Sequence, residues 1–207
     1  MKKTKPQTIP AKLLKTLTDS KLGHEIINHR TVFTAYDAAA TLKKKLEHIA
    51  KALIVVAGNF PVIVIMPAHA RLDEKKISKI LVDNFGVKAK AKIPKEAVAQ
   101  KIIKDISRPI SAFGSLYKLP VIVDKGLITN HLIVFPAASF NSSVQMMVKD
   151  FIKLEQAVVA SFGQANKIKL KVQKPQKKSK PKIKKQKTKK PITVRPRRIL
   201  AGKKKRK

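Results

Sequence analysis

Ala50-Lys51-Ala52-Leu53-Ile54-Val55-Val56-Ala57-Gly58-Asn59-Phe60-Pro61-Val62-Ile63-Val64-Ile65-Met66 is the stretch on which the fold turns. Two consecutive apolar runs rich in β-branched residues, Ala50 to Val56 and Val62 to Met66, are joined through Gly58-Asn59. Strand formers on both sides of a glycine-containing turn predict a hairpin at the centre of a sheet, the core of the domain. Neither run nears the roughly 18 apolar residues of a membrane span, so no membrane partner is expected.

Outward from this hairpin the periodicities alternate. Upstream, Glu25 to Asn28 and Thr31 to Thr34 carry β-formers. Thr34 with Asp37 three residues on marks a helix N-terminus leading into Ala38 to Leu46, and Ile9 to Leu17 predicts a short helix with Pro10 in its opening turn. Downstream, Ile77, Ile80, Leu81 and Phe85 recur at helical spacing across Asp73 to Asn84, a helix that Gly86 stops. Pro94 to Ile103 repeats that pattern, and an irregular stretch runs from Asp105 to Lys118. Strands are expected at Pro120 to Val123 and Leu132 to Val134, a helix near Val148 to Gln156, and a strand at Ala157 to Phe162. Interleaved strands and helices give an α/β class with a mixed sheet.

Charge divides the chain. Lys and Arg number 47 against 12 Asp and Glu, a formal net charge of +35, which points to a polyanionic partner. Beyond Lys167 there is no acidic residue, Lys-Pro pairs recur at 174, 180 and 190, and the few apolar residues lack periodic partners. Too little apolar surface offsets the entropy of ordering there, so residues 166–207 are expected to form a disordered lysine-rich tail behind a domain spanning 1–165. Lys174, Lys177, Lys178, Lys184, Lys185, Arg197, Arg198 and Lys203 are its candidate RNA-phosphate contacts; a purely solubilising extension is the plainer alternative. The cluster at Arg195 to Arg198 with Lys203 to Lys207 reads as a polybasic patch, or as a nuclear address in a eukaryote.

Cysteine is absent, which excludes disulfides, thiolate metal sites and a cysteine nucleophile and agrees with a reducing compartment. The start Met1-Lys2-Lys3 is followed by polar residues where a secretory signal would be apolar, so a cytoplasmic location is expected. His24, His29, His48, His69 and His131 are scattered without metal-ligand spacing, so no metal and no cofactor are expected. No Ser-His-Asp ordering stands out, and no glycine-rich phosphate loop exists around Gly58.

Four ordered blocks resemble the YbaK/prolyl-tRNA editing family across almost all of Ile9 to Phe162. They are His29-Arg30-Thr31-Val32-Phe33-Thr34 with the alanine-rich helix, Ile49-Ala50-Lys51-Ala52-Leu53, Ala70-Arg71-Leu72-Asp73-Glu74-Lys75-Lys76 as the start of the next helix, and Ser111-Ala112-Phe113-Gly114 with Leu119 to Asp124. The resemblance implies a mostly antiparallel sheet or partly closed barrel flanked by helices. It also implies hydrolysis of the ester joining a wrong amino acid to tRNA, with aminoacyl-tRNA as partner and an aminoacyl-tRNA synthetase as a possible second one. Lys51 corresponds to the family's signature lysine. Strand alternation puts it on a face with Ile49, Leu53 and Val55, an ammonium at the edge of apolar surface, suited to the terminal phosphate or to charge developing on the ester oxygen. A bound water or a hydroxyl of the RNA end or of the substrate would attack, with positioning supplying most of the rate.

Phe33, Ala52, Arg108, Ser111, Ala112, Phe113, Gly114, Ala137, Ala138 and Ser139 are the implied substrate pocket. Phe113 and Tyr117 are aromatics able to stack on a base, with core packing the plainer fate for Phe113. The chain departs from the family at Arg108 and Ala112, which replace the ends of a Gly-x-x-x-Pro loop, and at Ala137-Ala138, which replace a glycine-bearing pair. Ala52 stands where threonine is common. These changes predict a reshaped or narrowed pocket. A trans-acting deacylase is therefore the first reading, a catalytically inactive RNA-binding or ribosome-associated module the second, and a nucleoid or chromatin DNA-binding protein the third.

Overall fold

Leu13 and Leu17, one helical turn apart and both buried, set the face of the first helix, α1 (Ala11–Ser20). Burying each contributes about 1.5–3 kcal/mol. The structure, a computed structural model, describes residues 8–103 and 107–165. After α1 come β1 (His24–Asn28), α2 (Ala35–Leu42), β2 (Ala50–Ala57), β3 (Phe60–Pro67), β4 (Ala70–Leu72), α3 (Glu74–Phe85), β5 (Ala91–Lys92) and α4 (Glu96–Ile103). Then follow β6 (Val121–Asp124), β7 (Leu132–Pro136), β8 (Ser142–Met147), α5 (Val148–Glu155), β9 (Val158–Ala160) and β10 (Gly163–Ala165).

The expected hairpin is present: β2 and β3 pair antiparallel from Ala50–Pro67 to Ala57–Phe60, with Gly58 at φ +62° in the turn. It forms the middle of a five-stranded mixed sheet ordered β5-β2-β3-β6-β9, whose β3–β6 and β6–β9 ladders are parallel. Alternate residues enter two cores. Ala50, Ile54 and Val56 pack with Leu13, Leu17 and Phe151 on one face, and Val55 and Ala57 with Ile77 and Leu81 on the other.

A second, antiparallel sheet is ordered β1-β8-β7, and β4 pairs with β10 in a third. An isolated parallel bridge, Ile49–Val134, links the first two sheets. The class is α/β with mostly antiparallel pairing, and no closed barrel forms among the described residues.

Several boundaries differ from expectation for local reasons. Thr31 to Thr34 is not a strand, because Thr34 is already the N-cap of α2, which therefore begins at Ala35 and ends at Leu42. Ala70–Leu72 forms β4 rather than helix; Asp73 caps α3 by accepting from the Lys75 and Lys76 amides, and Gly86 closes it at φ +68°. The strand β8 had no expected counterpart. The proposed tail and its eight RNA-directed cations lie outside the described residues. No helix among the described residues is long and apolar enough to cross a membrane.

Candidate active site

Ile49, Ala50, Lys51 and Ala52 bring the start of β2 against the segment that enters α2, leaving a cavity of about 610 Å³ between them. Val32, Phe33, Ala35, Tyr36 and Ala38 wall one side; Pro109, Ile110, Val134, Pro136 and Phe140 wall the other. The polar lining is Thr34, Lys51, Arg108, Ser139 and Ser143, with no carboxylate among these residues. An apolar concavity with a few convergent polar groups is the usual form of a small-ligand site.

The wall from α2 is held by a capping box. The Asp37 amide donates to Thr34 Oγ1 at 3.1 Å and the Thr34 amide donates to Asp37 Oδ2 at 3.0 Å. The hydrogen bond with the Thr34 side chain holds the Asp37 carboxyl below its usual range. At the rim, Phe33 is 74% exposed and tilts against Phe140 with ring centroids 5.4 Å apart.

Lys51 is half-buried, and its Nζ donates to the Ala70 carbonyl at 2.6 Å. Burial, and secondarily the Arg71 guanidinium, lower its pKa below the ordinary lysine range. A desolvated ammonium beside a second cation favours an anionic partner.

Of the residues implied for the pocket, Phe33, Ala52, Arg108 and Ser139 line the cavity with Lys51. Ser111, Ala112, Phe113, Gly114, Ala137 and Ala138 are buried and are not among its lining residues. Phe113 sits between Phe135 and Phe151, at centroid distances of 6.3 and 5.3 Å, and the Ser111 amide donates to Tyr117 Oη at 3.0 Å. A Cβ on Gly114 would collide with the Leu119 carbonyl oxygen and the Val121 side chain.

Two of the positions read from the sequence as departures, Arg108 and Ala138, have defined surroundings. Arg108 Nη1 donates to the carbonyls of Thr8 at 2.8 Å and Ala138 at 3.1 Å, strapping the loop to the residues before α1 and to the turn after β7. Ala138 keeps a left-handed φ of 53°, the backbone geometry that a glycine would adopt without strain.

One arrangement was not evident from sequence. Ser143, on β8 and in the cavity lining, lies 2.9 Å from His29 Nε2, while His29 Nδ1 lies 2.9 Å from the Arg30 carbonyl oxygen. The two residues are 114 positions apart, so only the β1–β8 pairing, in which Ile27 faces Ser143, reveals it. No cluster of three metal-ligating side chains occurs among the described residues.

The family model for aminoacyl-tRNA editing domains matches residues 29–154. Among solved structures, the hypothetical protein APE2540 superposes with a TM-score of 0.65 at 16% identity, covering 74% of this chain and 99% of its own. A candidate trans-editing enzyme for prolyl-tRNA synthetase gives 0.61 at 16% identity, covering 73% and 94%. A candidate signal transduction protein from Marinobacter aquaeolei VT8 gives 0.58 at 15% identity over 75% of this chain and 31% of its own. No curated protein sequence matches the chain.

Proposed function

Since the chain belongs to the aminoacyl-tRNA editing domain family, we propose that it acts in trans as a deacylase, hydrolysing the ester that joins a wrong amino acid to tRNA. The observation that carries this reading is the Lys51 ammonium, half-buried at an apolar cavity of about 610 Å³. Such a cation is held in place before the substrate arrives, so it meets the terminal phosphate or the oxyanion forming on the ester carbonyl without reorganising. The apolar walls from α2 and β2 take the amino-acid side chain. With no carboxylate in the lining, a cationic side chain finds no counter-ion there, and uncharged amino acids are favoured.

The tail cations, Lys174 to Lys203, add sequence-independent attraction to RNA phosphates and leave selection to the cavity. A synthetase partner would deliver the substrate, consistent with the description of one structural relative.

The test is a panel of mischarged tRNAs incubated with the full chain and with Lys51→Ala. We expect release of at least one uncharged amino acid, lowered by about 10²-fold or more in the variant, the scale of losing one oxyanion-stabilising group. No release across the panel would leave an RNA-binding module in place of an enzyme.

A further inference from the structure

Lys51 lies at one end of a basic surface. From Ala70 to Lys95 the sequence carries eight Lys or Arg against three acids, a formal net charge of +5. The first of these cations, Arg71, is exposed on β4, and its charge acts on Lys51. Next, α3 carries exposed Lys75 and Lys79, four residues apart and so about 6 Å along one side of the helix. The Ala91 amide donates to Ser78 Oγ at 2.9 Å, which ties α3 to β5, where Lys90 and Lys92 are exposed on either side of the buried Ala91. Of the three acids, Asp73 already accepts from the Lys75 and Lys76 amides and from Gln164 Nε2.

The length of this surface follows from β2. Lys92 is the ladder partner of Val56, five residues beyond Lys51 on the same strand, so about 17 Å of strand separates the two lysines. A stacked nucleic-acid strand rises about 3.4 Å per phosphate, so about five nucleotides match that span. Because β5 is an outer strand of the five-stranded sheet, the far end is open to a partner.

The chain also leaves the described domain beside Lys51. Ala165, the last described residue, is the ladder partner of Ala70, whose carbonyl receives Lys51 Nζ. The lysine-rich segment that follows in sequence is therefore joined to the domain at the Lys51 end of the surface. Lysines on a helix face or an edge strand otherwise serve solubility and keep sheet edges from pairing. Neither role asks for a run of cations that starts beside Lys51.

We propose that Arg71, Lys75, Lys79, Lys90 and Lys92 form a phosphate track on the folded domain. It holds the strand of RNA that leads to the acylated end, while Lys51 meets the end itself. This rests on the aminoacyl-RNA reading above and names the surface that carries the backbone of that substrate.

The test reads binding, not hydrolysis, so it stands apart from the deacylation panel. Fluorescence anisotropy of the full chain is recorded between 50 and 200 mM salt with RNA hairpins whose 3′ single strand is about five nucleotides long or only about one. One variant combines Lys75→Gln, Lys79→Gln and Lys92→Gln; Arg71 is kept because its charge acts on Lys51. A charge-matched control combines Lys15→Gln, Lys149→Gln and Lys153→Gln, exposed on α1 and α5, which pack on the other core from α3.

We expect the track variant to bind the longer hairpin about 10-fold more weakly and to lose the preference for the longer strand. Its log–log salt slope should flatten by about 2, at about 0.7 for each single-strand phosphate contact. Arginine at the same three positions should restore affinity, preference and slope, and the control should retain the preference. Equal weakening by the two glutamine variants, or a wild type indifferent to strand length, overturns the track. A track variant that loses the strand, in a protein that deacylates nothing on the tRNA panel, keeps the track as an RNA surface and overturns the deacylase reading.

Discussion

Lys51 sits on a strand otherwise built of Ala, Leu, Ile and Val, where its Nζ donates to the Ala70 carbonyl and the charge that acts on it is that of another cation, Arg71. Such a group serves a ligand better than it serves the fold. Its pKa is lowered in the folded protein, so the unfolded chain holds the proton more tightly, and stability rises with pH between the lowered value and the ordinary lysine range. The penalty of the charged ammonium is thus fully present at neutral pH and fades in alkali. Lys51→Met, which keeps the stem and removes the charge, should be at least as stable as the wild type at pH near 7. The difference should shrink as the pH approaches the lysine range. Urea titrations at neutral and alkaline pH measure this, and a variant clearly weaker than the wild type at neutral pH would contradict it. Deacylation that needs the ammonium should correspondingly fail on the alkaline side sooner than an unperturbed lysine would allow.

One wall of the cavity comes from α2, and the entry to that helix depends on two side chains. Thr34 is both a cavity residue and the N-cap, with Asp37 completing the box. Thr34→Ala should lower stability by about 1 kcal/mol, within the 0.5–2 kcal/mol span of cap losses, and Thr34→Ser should restore it. Denaturant midpoints read this out, and equal midpoints for the alanine and serine variants would mean that the box does not hold the helix. The Thr34–Asp37 pair is legible in the sequence as a helix start; the box puts Asp37 at the third helical position, so the helix begins at Ala35, three residues before the expected Ala38. The β2–β3 hairpin and α3 were legible because turn, cap and stop residues agree with the apolar pattern. Strand β8 was not. Ser142 and Ser143 are buried polar residues and Gln145 faces Lys44, so no alternation marks it. Lys51 could be picked out as a cation on an apolar strand, whereas Ser143 and His29 meet only through strand pairing, which no local pattern encodes.

At the scale of the whole molecule, charge is unbalanced beyond what composition alone conveys, because several of the few acids are engaged with backbone. Asp73 accepts from the first amides of α3, Asp124 from the amides of Gly126, Phe162 and Gly163, and Glu155 from the Ser115 amide and hydroxyl. Burial nevertheless raises the Glu155 carboxyl above its usual range, which further weakens it as a counter-ion. Glu47 lies 3.7 Å from Lys45 Nζ and 3.7 Å from His48 Nε2. With 47 basic and 12 acidic side chains in the full sequence, most cations are left to external anions. If six to ten of them contact phosphates, tRNA affinity should fall by about 10³- to 10⁵-fold between 50 and 200 mM salt. A chain ending at residue 165 should show a flatter dependence, because the 166–207 cations can no longer release counter-ions, while the cavity and its chemistry remain. Binding of uncharged tRNA across that salt range, measured for both lengths, separates the two contributions. Superimposable salt curves would place the whole RNA footprint on the folded domain and reduce the lysine-rich segment to a solubilising extension.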